Sequence, residues 1–98
     1  GALAQGSKVD AYSRYNEAGN VAAQKGDFDA AIANWTKAME LDTDPDPKCR
    51  GVSHKFFIQA AQEAMARIKD GSLARAKAPE WVFQRQSDLW APNPCNRP

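Results

Sequence analysis

The chain has few of the side chains from which most metal sites and acid–base centres are built. Its 98 residues include one histidine, His54, and two cysteines, Cys49 and Cys95. Multi-ligand metal binding and histidine-based catalysis therefore lack parts. No apolar run approaches the roughly 20 residues that a membrane-spanning helix needs. Charge of one sign is missing too: thirteen Lys and Arg oppose twelve Asp and Glu, a formal +1. That gives no electrostatic footprint for nucleic acid. There is no glycine-rich phosphate loop, and no segment alternates apolar and polar residues long enough for a half-buried strand. The expectation is one all-α domain with no metal, no cofactor and no catalytic residues.

The charge that is present is unevenly placed. Residues 1–48 carry five basic and eight acidic side chains, whereas 49–98 carry eight and four. The first residues, Gly1-Ala2-Leu3-Ala4-Gln5, hold the small-x-small pattern that precedes a signal-peptidase cut, behind a glycine that reads as a tag scar. On this reading residues 1–6 are a disordered remnant of a signal-cleavage region. The protein would then be exported to a periplasm-like, oxidising compartment. Cys49 and Cys95, 46 residues apart, fit neither a C-x-x-C redox motif nor a zinc knuckle. In such a compartment they are expected to pair, closing the start of one helix onto the tail.

Residues 7–98 divide at clear start and stop signals. Ser7 and Asp10 resemble a capping box, so a helix is expected over about 8–25. Its small and apolar positions, Val9, Tyr12, Tyr15, Ala18, Gly19 and Ala22, mark the face expected to be buried. Gly26 ends it, and Asp27 caps a second helix over 28–41. The inward face of that helix reads Phe28, Ala31, Ile32, Trp35, Ala38, Met39. Asp46-Pro47 opens a third helix over 47–69, with Gly51 inside its early turns. This helix is apolar around most of its circumference and needs cover on two sides. The tail, 72–98, is expected to supply one of them. After a short helical stretch at Ser72–Ala78, its Trp81, Val82, Phe83, Leu89 and Trp90 would dock on helix three.

The chemistry-bearing residues are few enough to weigh singly. Cys49 and His54, five apart on one helix, would point roughly 140° apart and not form a thiolate–imidazolium pair. The Asp42, Asp44, Asp46 run mimics the start of a calcium loop, but without its glycine and distal glutamate, and helix capping accounts for it better. His54 reads as a polar residue of a surface or groove.

Tyr15, Ala18-Gly19, Ala22, then Gly26-Asp27-Phe28, then Ala31, Trp35, Ala38 and Leu41 together resemble one tetratricopeptide repeat over about residues 12–45. A degenerate second half-repeat follows, with Cys49, Val52, Ser53 and Phe56 at the inward slots of its first helix. The resemblance implies a helix hairpin, with the long third helix as its cap. It also implies work by protein–protein interaction, with a peptide or protein partner held on the concave face. Residues of that face would be Asn16 and Asn20 on the first helix, with Gln24 at the edge, facing Arg50 and His54 on the third. Two other expectations stand beside this one. The wide third helix and the tryptophan-bearing tail could form a homodimer contact, or Cys49 and Cys95 could serve as a thiol redox pair.

Overall fold

The structure is a computed structural model that describes residues 2–97, with side chains from Lys8 onward. Four helices follow one another: α1 (Ala2–Gln24), α2 (Phe28–Glu40), α3 (Val52–Lys69) and α4 (Ala78–Trp90). Single 3-10 turns stand at Pro47–Cys49 and Arg75–Lys77, and no strand occurs among the described residues. Successive helices pack pairwise, α1 on α2, α2 on α3, α3 on α4. The result is two antiparallel hairpins lying side by side.

The first hairpin is built as its sequence dictates at the turn. Gly26 takes a left-handed φ of +83°, and the Asp27 carboxylate accepts the N–H of Ala30 at 3.2 Å to cap α2. Phe28, Ala31, Trp35 and Ala38 are buried as the periodicity of α2 predicts, with Ile32 and Met39 half-buried at the edges.

Helix α1 departs from expectation in two ways. Its backbone is helical from Ala2, ahead of the expected start near Lys8 and through the segment expected to be disordered; Gly1 lies outside the described residues. Its inward face is also rotated. Gly19 and Ala23 are buried and Tyr12, Asn16 and Asn20 half-buried, whereas Val9, Tyr15 and Ala18 face water. The reason lies in Trp35. A Cβ at Gly19 would collide with its indole ring, so only glycine lets the ring lie on the α1 backbone. The indole N–H, fully buried with its ring, then needs an acceptor, and Asn20 Oδ1 provides it at 3.1 Å. A polar side chain was required inward where the apolar pattern pointed to its neighbours.

The expected single helix over 47–69 is two pieces. Pro47–Cys49 forms a 3-10 turn capped by Asp46, whose carboxylate accepts the Lys48 N–H. Gly51 then turns left-handed at φ +75° and α3 begins at Val52. A side chain there would strike Met39.

Cover for α3 comes from both sides. Ala60, Ala61 and Ala64 are fully buried between α2 and α4. The tail that supplies one side is itself helical, a further correction to the expected layout. Ser72–Ala78 holds only a 3-10 turn, and the regular helix is α4. Pro79 stands in its first turn, where a missing N–H costs nothing. Val82 is fully buried, the Phe83 ring meets Phe57 edge-on at 5.8 Å, and Trp90 meets Phe56 at 6.3 Å. Trp81 lies under the Arg67 guanidinium at 5.4 Å, a cation–π contact that shields its outer face. Part of the apolar surface expected to make a dimer contact is thus packed within the chain, with Phe56, Trp81 and Trp90 left half-buried.

Candidate functional site

The polar residues of interest gather at one end of the bundle, where the first half of α1, the loop after α2 and the chain's last residues meet. The loop is organised by its alternating aspartates. Asp42 accepts the N–H of Asp44 at 3.0 Å and of Gly51 at 2.6 Å. Asp44 accepts from Asp46 at 2.9 Å, and Asp46 from Lys48 at 3.0 Å. Each carboxylate mimics a backbone turn, which is what aspartate does best in loops. Backbone capping therefore occupies the run that resembled a calcium loop.

Cys49 and Cys95 are joined by a disulfide, with Cα atoms 5.5 Å apart. The bond ties the 3-10 turn before α3 to the segment that leaves α4. Such a pair is compatible with an oxidising compartment. Arg97 closes the same corner, donating to Asp44 Oδ1 at 2.9 Å. The Asp44 carboxyl is held below the usual carboxylate range by the Asp46 N–H first and by Arg97 and Arg50 after it.

The five residues expected to line a partner-binding strip are only partly brought together. Asn16 and His54 do meet, Nε2 to Oδ1 at 2.7 Å, across the α1–α3 junction. They meet inside the protein: His54 is 2% exposed. The open-groove histidine of the sequence reading is thus a core histidine. Asn20 serves Trp35. Arg50 is exposed but turns to the carbonyl of Asp44 at 2.8 Å, and Gln24 is exposed at the far end of α1. No continuous strip of the five exists on the surface.

Two residues not marked as partner contacts lie at this junction. Tyr12 packs edge-to-face on His54 with ring centres 5.6 Å apart. Burial, and then the negative charge of Asp42, push its phenol upward from its ordinary value. Burial pushes the His54 imidazole the other way, toward the neutral form. Tyr12 and Asp42 also line an open cleft of about 320 Å³, together with Lys8, Val9, Leu41 and Pro45 among others. Their sequence signals were an inward position on α1 and an Asp-x-Asp-x-Asp loop, both legible as structure and neither as a surface.

No helix among the described residues is long and apolar enough to cross a membrane. Set against known proteins, the chain matches no family model, no curated protein and no solved structure.

Proposed function

We propose that the protein is an exported interaction module of tetratricopeptide-like hairpins that holds a peptide or protein partner in a periplasm-like, oxidising compartment. The observation that carries this reading is the cleft between α1 and residues 41–45. Its apolar walls, Val9, Tyr12, Leu41 and Pro45, can take a side chain of an extended peptide. The rim is of mixed charge, with Lys8 on α1 and Asp42 in the loop, while Asp44 is already paired with Arg97. The hairpin pattern at residues 12–45 and the disulfide support the class and the compartment respectively. This places partner contact one step along α1 from the strip that the repeat pattern implies, because Asn16, Asn20 and His54 have internal partners. A thiol redox role would require the Cys49–Cys95 bond to cycle. Cys49 is buried, which hinders access of an incoming thiolate.

The test is site-specific photo-crosslinking in the native compartment, with the probe at Thr43 in the cleft or at Gln84 on the outer face of α4. A discrete adduct from Thr43 and none from Gln84 is expected. Adducts from Gln84 alone, or from neither site, would overturn the cleft as the binding face.

A further inference from the structure

Histidine is the one side chain whose ordinary value, near 6.5, places its charge change in mildly acidic water. Here it is enclosed by α1 and the start of α3. With Asn16 Oδ1 as acceptor, Nε2 must carry the ring proton. The neutral ring then leaves Nδ1 as a bare lone pair, and this atom is buried with no partner. A buried polar atom left unpaired is rare in folded proteins and calls for a physical explanation. We propose that His54 is an acid-sensitive latch: proton uptake at Nδ1 loosens α1 from α3 and opens the cleft that α1 shares with residues 41–45.

The groups that face the ring decide whether the added charge can be accommodated. From α1 come Tyr12, a phenol that stays neutral in this range, and Asn16, which is neutral throughout. From its own helix comes the Phe57 ring, 6.0 Å away. The loop contributes Asp42, the charge that acts on the ring, and its two oxygens already hold the N–H groups of Asp44 and Gly51. Asp42 makes no hydrogen bond to Nδ1, and its oxygens are held toward the N–H groups of Asp44 and Gly51, so to serve an imidazolium it would have to shift within the loop. Protonation therefore either leaves a charged N–H at Nδ1 without a hydrogen-bond partner or pulls Asp42 and its loop out of place. Both outcomes act on the same junction.

The architecture localises the effect. Running antiparallel from Gln24, α1 outreaches the shorter α2, whose Glu40 comes level with about Tyr12 at equal rise per residue. Beyond that point, Lys8 and Val9 line the cleft against the 41–45 loop, and Tyr12 and Asn16 tie α1 to α3 through His54. The sign follows from linkage. The folded state disfavours the proton, so the unfolded or opened state binds more of it below about pH 6.5. Each further pH unit then shifts the closed–open balance by up to about tenfold.

Amide hydrogen exchange on the full chain at pH 7.5 and pH 5.0, corrected for intrinsic rates, tests the latch without any partner. Residues 8–16 are expected to lose about tenfold in protection at pH 5.0 while α4 keeps its own. His54→Gln should remove that pH dependence. Asn16→Asp, which sets a carboxylate beside the ring, should stabilise the imidazolium in the closed state and so shrink the loosening at pH 5.0, and it decides the matter if His54→Gln does not fold. Equal loss in all helices, no loss, an unchanged profile in His54→Gln, or undiminished loosening in Asn16→Asp would overturn the proposal.

Discussion

The two hairpins reach the same shape by different means. In α1–α2 the connection is three residues long, set by a left-handed glycine and an aspartate cap, and the helices meet through Gly19 and small alanines around one tryptophan. In α3–α4 the connection is eight residues long, and the closure is made at a distance. Aromatic rings pack along the interface, Arg85 grips Glu63 through two bonds of 2.8 and 3.3 Å, and the Cys49–Cys95 bond clasps the far end. Local chemistry suffices where helices are joined tightly. The more loosely joined pair has its own left-handed glycine, Gly71, and adds long-range ties, its loop carrying somewhat more closure entropy.

That contrast can be broken most severely by removing residues 79–98. Val82 and its aromatic neighbours should cost several kcal/mol together, taking about 1.5–3 for each large side chain fully buried. The exposed side of α3 should make the remainder associate. Urea melts and sedimentation would register both, and an unchanged melt with a clean monomer would mean that the first hairpin and α3 stand alone. A smaller and more local effect is expected from Asn20→Ala, which leaves the Trp35 N–H buried without an acceptor. The cost should be about 1–3 kcal/mol, the range for stranding one buried polar group, seen as loss of stability with helical content kept. Smallest of all should be Arg85→Ala. Both side chains are more than one-third exposed, so only a small loss is expected at neutral pH, since exposed ion pairs contribute little. Arg85 holds the Glu63 carboxyl below its ordinary value. The contribution should thus be present above about pH 4.5 and fade as the pH falls through the lowered folded value. A variant equally destabilised at pH 3 and pH 7 would show that lost packing, not charge, was responsible.

What could be read beforehand did not follow that division. The α1–α2 turn, the buried face of α2 and the docking of Val82, Phe83 and Trp90 came from residue spacing and from the surplus of apolar residues on the third helix. The rotation of α1 did not, since two asparagines point inward only because one needs to meet an indole N–H and the other an imidazole. Such pairings join residues 15 and 38 apart in sequence, where no periodicity reaches. The break at Gly51 was hidden for a similar reason. Its left-handed turn depends on Asp42 holding its N–H from nine residues away. The candidate strip failed as a surface because its members were judged by helical position, and helical position does not reveal which polar groups have an internal partner.

The second hairpin depends on the Cys49–Cys95 bond at its open end, whereas the first has no covalent tie of its own. Hydrogen exchange on the native and the fully reduced protein, compared helix by helix, tests it most directly. Reduction of the Cys49–Cys95 bond should lower protection along α4 and at the start of α3 and leave the α1–α2 turn and α2 as they were. Equal loss in both hairpins, or no loss in α4, would contradict it.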